Sequence, residues 1–134
     1  MIKLASETID KKDIKQLINW LKTNPKLTQG ELTKKFETKF AKWMGTKYAL
    51  FCNSGSSANL LMLSALLETK IIQPKAKVVV PSICWSTDVA PIFQLNLNPI
   101  LCDLDLENFS IDLNHLEEIY KKEKPDLLFL VSIL

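Results

Sequence analysis

Apolar residues recur with a helical period near the start of the chain. The spacing i, i+3, i+4, i+7 is occupied by Ile14, Leu17, Ile18 and Leu21. This spacing predicts an amphipathic helix over residues 8–22. The helix is expected to end before Pro25, because a residue that precedes proline is pushed sterically out of the helical region.

A second apolar stripe follows and predicts a second helix. Its members are Leu32, Phe36, Phe40 and Trp43. Thr28 and Glu31 have the spacing of a capping box, so this helix is expected to begin close to Thr28. Gly45 is expected to end it in the left-handed conformation, which glycine adopts without steric cost. We interpret Trp20 and Trp43 as core or interface residues, because both have helical spacing to other apolar positions.

From Tyr48 onward, short apolar runs alternate with helical segments. In order they are YALFC, SANLLMLSALLE, KVVVP, TDVAPIFQLN, PILCDLD, NHLEEIYKK and DLLFLV. Such alternation is typical of right-handed βαβ units, so the sequence predicts an α/β fold with a mostly parallel sheet and helices on both faces. Asp112 is the expected N-cap of the last helix. We divide the chain into an N-terminal helical segment, 1–45, and an α/β part, 46–134.

The chain closes on KPDLLFLVSIL, a continuous apolar run typical of a parallel strand that is buried on both faces. A strand of this kind needs helices before and after it, so the sequence is expected to be a truncated product or a fragment. Residues 46–134 are then an incomplete domain. The alternative is a genuine C-terminal strand.

Composition and charge narrow the classes of partner. The chain has 134 residues, of which 47% are hydrophobic, as in one soluble globular domain. Its net charge is only +2 and its lysines are dispersed, so neither nucleic acid nor a membrane is an expected partner. Cys52, Cys84 and Cys102 lie in or beside apolar runs without metal-ligand spacing. We expect buried, reduced thiols, no metal site and a cytoplasmic protein.

The stretch NSGSS, residues 53–57, lies where a predicted strand passes into a helix. The first turn of a helix has unpartnered backbone N–H groups and a partial positive charge, and therefore suits an anion. Gly55 permits a close approach or a positive φ, and the hydroxyls of Ser54, Ser56 and Ser57 can donate to phosphate oxygens. The stretch contains neither GK[ST] nor GxGxxG, which disfavours nucleoside triphosphates and dinucleotides. Simple capping and turn roles are the alternative.

Trp85 lies in the next strand-to-helix loop, just before an expected N-cap at Ser86 or Thr87. In a parallel sheet this loop emerges at the same edge as NSGSS. The indole can therefore stack on a planar ring whose phosphate is held by the first loop. The alternative is that Trp85 packs between helix and sheet.

Three further titratable residues are interpreted as structural. His115 has no nucleophile or ligand pattern nearby and is expected to be solvated. Asp103 and Asp105 are expected to be turn or capping residues rather than a paired carboxylate site.

Two long segments, in their order and separation, resemble the pyridoxal-phosphate-dependent sugar aminotransferases of the DegT/DnrJ/EryC1/StrS family. They are LTQGELTKKFETKFAKWMGTKYALFCNSGSSANLLMLSAL and VVVPSICWSTDVAPIFQLNLNPILCDLDLENFSID, and the likeness covers nearly the whole chain from about Leu27. NSGSSANLL and WST look most like the branch of lipopolysaccharide-sugar enzymes that includes 3-dehydrases of CDP-linked 4-keto-6-deoxyhexoses. The resemblance implies the N-terminal part of a fold type I large domain, with an active site at a homodimer interface.

The resemblance also implies the cofactor pyridoxal 5′-phosphate (PLP) and the residues that bind it. Gly55 and Ser56 match the positions that hold the phosphate, with Ser56 where the family usually has threonine and Ser57 beside it. Trp85 matches the aromatic residue that stacks on the pyridine ring. The family's cofactor-binding lysine, and the aspartate that pairs with the pyridine nitrogen, would both lie beyond the last strand of this chain. Residues 1–134 alone are therefore expected to be inactive.

The function implied by the resemblance is transfer of an amino group from an amino-acid donor to a nucleotide-linked keto sugar, by a homodimer, in the synthesis of cell-surface polysaccharides or deoxyamino sugars. One alternative is a nucleotide-sugar 3-dehydrase, in which histidine replaces the cofactor-binding lysine. A second is a non-catalytic chain that only dimerises or binds a phosphate-bearing ligand. A flavodoxin-like phosphate-binding domain is a third, but it leaves the helical N-terminus and Trp85 unexplained.

Overall fold

A computed structural model of the chain describes residues 6–131 and divides it into two compact units, Met1–Phe51 and Cys52–Leu134. The first unit contains helix α1, Lys11–Leu21, and helix α2, Glu31–Met44. Helix α1 begins later than the predicted residue 8, because the Asp10 carboxylate accepts hydrogen bonds from the N–H groups of Lys12 at 2.7 Å and Asp13 at 2.9 Å. These bonds satisfy the first free donors of the helix and fix its start.

Helix α2 begins at Glu31 after an N-cap at Gly30, and no side chain caps it. The predicted capping box at Thr28 is wrong, because Gln29 has a left-handed backbone, φ +42°, which separates Thr28 from the helix. The predicted end is confirmed, since Gly45 has φ +71°.

The apolar stripes of the first unit remain largely exposed. Trp43 is 77% exposed, and its ring packs against that of Phe40, with centroids 5.6 Å apart. Trp43 therefore lies outside the core, and its alternative role at an interface stays a prediction, whereas Trp20 is partly buried. No strand forms over residues 48–52, although the run YALFC predicts one. A strand requires a paired neighbour, and residues 48–52 pair with no strand within the described part of the chain.

The second unit is an α/β fold. Its elements are α3 (Gly55–Glu68), β1 (Lys77–Pro81), α4 (Ser86–Gln94), β2 (Asn98–Cys102), α5 (Leu113–Glu123) and β3 (Leu127–Leu128). The three strands are parallel and lie in the order β2-β1-β3. The predicted α/β class, with a parallel sheet, is confirmed.

Alternating valines of β1 supply the core on both faces of the sheet. Val78 and Val80 pack with Leu63 of α3 and Ile92 of α4, whereas Val79 packs with Cys102, Ile111 and Ile119 on the α5 side. All three valines are completely buried, as expected for a central parallel strand. The chain moves from β1 to β2 through α4 and then back past β1 to β3 through α5. The second connection runs in the opposite direction across the sheet and crosses its opposite face, so the two connections have the same handedness.

The end of the chain departs from its prediction. Strand β3 contains only Leu127 and Leu128, which are half-buried, and the Phe129 N–H extends the pairing by one hydrogen bond of 2.8 Å to the Val79 carbonyl. Leu127 and Phe129 pack against the core on one face of the sheet and Leu128 packs on the other, so the predicted burial on both faces is present but incomplete. The remainder of the predicted apolar run, 132–134, lies outside the described residues. Over residues 6–131, no helix combines the length and apolarity needed to cross a bilayer.

Candidate functional site

Helix α3 begins within the serine-rich stretch, and Ser54 is its N-cap. The Ser54 Oγ accepts the Ser57 N–H at 3.2 Å, and the Ser54 carbonyl accepts the Ala58 N–H at 3.1 Å. Among the described residues, the N–H groups of Gly55 and Ser56 have no hydrogen-bond acceptor, and both residues are exposed. Capping therefore explains Ser54. The N–H groups of Gly55 and Ser56 and the Ser56 hydroxyl have no hydrogen-bond partner within the described residues.

Gly55 is not required by the fold of this chain. Its φ is not positive; Gly45 is the one glycine in that region between residues 6 and 131. A Cβ built on Gly55 would meet no atom within 4 Å. The sequence suggested two reasons for a glycine at position 55, a positive φ or the close approach of a ligand. The positive φ is wrong, so close approach is the remaining explanation.

Trp85 lies at the start of α4 and is 72% exposed. Packing of Trp85 between helix and sheet is therefore wrong. The helix begins at Ser86, so Trp85 itself is the N-cap, in place of the predicted Ser86 or Thr87. Asp88 provides the capping oxygen: its Oδ2 accepts the Trp85 N–H at 3.1 Å, while the Asp88 N–H donates to the Trp85 carbonyl at 2.9 Å.

The N-terminal parts of α3 and α4 are joined by a polar contact that the sequence reasoning missed. The Asn59 Nδ2 donates to the Asp88 Oδ1 at 2.7 Å and to the Thr87 carbonyl at 3.2 Å. Asp88 is 6% exposed and is the one buried charged residue in the described chain. Two sequence features could have indicated this pair: Asn59 is a polar residue between Ala58 and the apolar run that begins at Leu60, and Asp88 has capping-box spacing from Trp85.

The thiols differ from the expected buried set. Cys102 is buried, whereas Cys52 and Cys84 are only partly buried, and all three are free. Burial raises the pKa of the Cys84 thiol, and the negative charge of Asp88 raises it further. Burial also raises the pKa of Cys102, assisted by Asp103 and Asp112. At neutral pH both groups are therefore protonated thiols rather than nucleophilic thiolates.

A concavity of about 700 Å³ lies at the carboxyl ends of β1 and β2, with the polar and acidic residues Ser82, Asp103 and Asp112 in its lining. His115 is partly solvated, with 34% of its side chain exposed, but it also has a partner that was not predicted: its Nδ1 accepts the Asp103 N–H at 3.0 Å and lies 3.2 Å from the Asp103 Oδ2. Asp105 is confirmed as a turn residue, since its carboxylate accepts the Glu107 N–H at 2.8 Å. Within residues 6–131, His, Cys, Asp and Glu form no group of three suited to a metal.

The predicted cap of α5 is confirmed. The Asp112 Oδ1 accepts hydrogen bonds from the N–H groups of Asn114 at 2.8 Å and His115 at 3.2 Å. This carboxylate uses one oxygen for both bonds and remains local to its own helix.

Comparison with known proteins identifies the family. The profile of the DegT/DnrJ/EryC1/StrS aminotransferase family matches residues 8–130. The chain belongs to this family. The resemblance noted in its two long motifs is thereby confirmed.

Two curated members of the family are similar over most of the chain. GDP-4-keto-6-deoxy-D-mannose 3-dehydratase of Yersinia pseudotuberculosis is 38% identical over 135 residues, which cover 98% of this chain and 33% of the relative. The enzyme of the same name from Escherichia coli O55:H7 is 40% identical over 119 residues, covering 86% and 30%. The chain thus spans a third or less of these relatives. Their names specify GDP, rather than the CDP suggested by the motifs.

Solved structures give the same fold. E. coli GDP-4-keto-6-deoxy-D-mannose-3-dehydratase with bound hydrated PLP has a TM-score of 0.77 and 37% identity, covering 86% of this chain and 30% of that one. A structure of GDP-4-keto-6-deoxymannose-3-dehydratase with a trapped PLP–glutamate geminal diamine has a TM-score of 0.78 and 37% identity, covering 87% and 30%. The described α/β unit therefore matches part of a fold type I PLP enzyme.

Proposed function

We propose that the chain is the N-terminal part of a PLP-dependent 3-dehydratase that acts on a GDP-linked 4-keto-6-deoxy sugar. The observation that carries the proposal is the 38–40% identity to two enzymes of this activity. Amino-group transfer, the first reading of the motifs, becomes the second candidate. It is supported by the family itself, whose description is that of aminotransferases.

The residues present fit the cofactor. The free N–H groups of Gly55 and Ser56, with the Ser56 hydroxyl, suit the phosphate dianion at the positive end of α3, and Ser57 lies beside them. The exposed indole of Trp85 suits one face of a pyridine ring. When bound, PLP supplies an electron sink that stabilises negative charge on the substrate.

The roles of this chain's residues follow from those positions. Gly55 and Ser56 bind and orient the phosphate, and Trp85 covers one side of the ring and excludes water from it. None of them transfers a proton in this scheme. We assign the chain to cofactor binding within a homodimer that also binds the nucleotide sugar and an amino-acid donor.

Product analysis tests the activity. Protein expressed from the complete open reading frame is incubated with GDP-4-keto-6-deoxymannose, PLP and glutamate, and the sugar product is identified by mass spectrometry. A 3-dehydratase yields a sugar without its 3-hydroxyl, whereas an aminotransferase yields a sugar that contains an additional nitrogen. An amino sugar as the sole product would replace the first proposal with the second.

Substitution of Trp85 tests the ring contact. Trp85→Ala is expected to lower PLP affinity by about 10-fold, because a stacking contact contributes roughly 1–3 kcal/mol. Little stability is lost, since the indole is exposed. Equilibrium dialysis measures the PLP affinity of the protein expressed from the complete open reading frame.

Trp43→Ala is the matched control for that experiment, because Trp43 is equally exposed, at 77%, but lies on α2. Its PLP affinity is expected to equal that of the parent chain. Equal losses in both tryptophan variants would show that Trp85 has no specific role at the ring.

A further inference from the structure

The contact between Asn59 and Asp88 has a direction fixed by its chemistry. The Asn59 amide nitrogen lies against two oxygens that only accept, the Asp88 carboxylate and the Thr87 carbonyl. A flipped amide would place its oxygen against both of them, so only the NH2 group satisfies the site. Asn59 is therefore a donor from α3 to α4.

Asp88 uses its two oxygens for different helices. Its Oδ2 accepts the Trp85 N–H and caps α4, while its Oδ1 accepts from Asn59 of α3. Simple capping needs no second oxygen: Asp10 and Asp112 each receive both of their N–H bonds on Oδ1 alone. The buried Asp88 carboxylate is therefore built as a connector as well as a cap.

The connected residues lie directly behind the proposed cofactor contacts. Asn59 is three residues after Ser56 and so lies on the same side of α3, one turn deeper. Trp85 is bonded to the connector through its own backbone N–H. No lysine or histidine forms an ion pair with Asp88 in the described chain, so N–H donors alone stabilise its charge.

We propose that Asn59 and Asp88 are positioning residues that hold the phosphate-binding turn of α3 and the Trp85 platform at the separation a phosphorylated planar cofactor requires. The inference rests on the proposed cofactor site and adds two residues that touch neither phosphate nor ring. Fixing two half-sites before binding removes the cost of ordering them on binding. Loss of the connector is therefore expected to weaken binding without removing any cofactor contact.

Two single variants, made in the protein expressed from the complete open reading frame, test the inference by PLP affinity. Asn59→Ala removes the donor but leaves the Asp88 cap on Trp85 intact. Asp88→Asn turns an NH2 group toward either Asn59 or the Trp85 N–H, so one bond is lost. Each is expected to lower the affinity about 10-fold, within the range of coupling for residues in one network.

The exchange Asn59→Asp with Asp88→Asn separates positioning from simple structural damage. The carboxylate introduced at position 59 accepts from the amide introduced at position 88, whose oxygen still accepts the Trp85 N–H. Affinity is expected to recover only in part relative to Asp88→Asn, because the Thr87 carbonyl loses its donor and then faces a carboxylate oxygen. Asp112→Asn, a cap on the opposite face of the sheet, is the control and is expected to bind normally.

Urea unfolding at the temperature of the binding assay gives the folded fraction of each variant, by which every affinity is corrected. If the parent chain binds no PLP, the proposed cofactor site fails. If the parent binds, and folded Asn59→Ala binds equally well, or the exchange binds no better than Asp88→Asn, the positioning inference is overturned. Should Asp88→Asn be unfolded, Asn59→Ala and the exchange decide the question alone.

Discussion

Replacement of Gly55 by valine is expected to lower the affinity of the chain for PLP by roughly 100-fold. The substitution would remove two hydrogen bonds to a charged phosphate, each contributing about 1.5 kcal/mol. The isopropyl group would cover the N–H groups of Gly55 and Ser56, which have no acceptor within the described chain. The fold should be unaffected, because a Cβ at Gly55 meets nothing within 4 Å and φ is not positive.

Isothermal titration with PLP and urea unfolding measure the two quantities separately. Gly55→Ala is expected to give an intermediate loss of affinity, because a methyl group covers less of the turn. Gly30→Ala is the contrasting control: its Cβ would lie 2.9 Å from the Lys26 carbonyl, so it should reduce stability rather than affinity. A folded Gly55→Val chain that binds PLP as tightly as the parent would rule out the phosphate at this turn.

The parts of the fold that follow from local pattern were predicted well. Apolar periodicity predicted α1 and α2, and the alternation of apolar runs with helical segments predicted α3, α4 and α5 and the parallel pairing of β1 with its neighbours. The failures are nonlocal. Residues 48–52 have the composition of a strand but no pairing partner, and the left-handed backbone of Gln29, which displaces the start of α2, has no signal in side-chain type.

The residues of the candidate site likewise fall into those that local motifs predicted and those that depend on nonlocal packing. Gly55, Ser56, Ser57 and Trp85 were selected because their motifs stand at strand-to-helix junctions, and the structure places both motifs at helix N-termini. Asn59 and Asp88 were not selected, since their bond joins residues 29 apart in sequence and depends on the packing of α3 against α4. Residues at helix N-termini can thus be predicted from motifs, whereas a hydrogen bond between two helices requires the tertiary structure.

Leu63 is the one fully buried side chain of α3, with Leu66 and Leu67 partly buried against the same core, so Leu63→Ala is expected to cost about 3 kcal/mol of unfolding free energy through lost burial and a residual cavity. Leu63 is 1% exposed and is the single buried residue of α3, in contact with the core that includes Val78, Val80 and Ile92. Because a whole domain is stabilised by only about 5–15 kcal/mol, this loss is a large share of the total.

Urea unfolding followed by circular dichroism measures the effect, and Leu61→Ala on the same helix is the matched control. Leu61 is 42% exposed, so its truncation should cost less than about 1 kcal/mol. At urea concentrations where Leu63→Ala is still folded, it should bind PLP close to normally, because Leu63 lies two turns beyond the Gly55 turn and touches no proposed contact. Equal destabilisation by the two leucine variants would mean that α3 is not anchored to the sheet through Leu63.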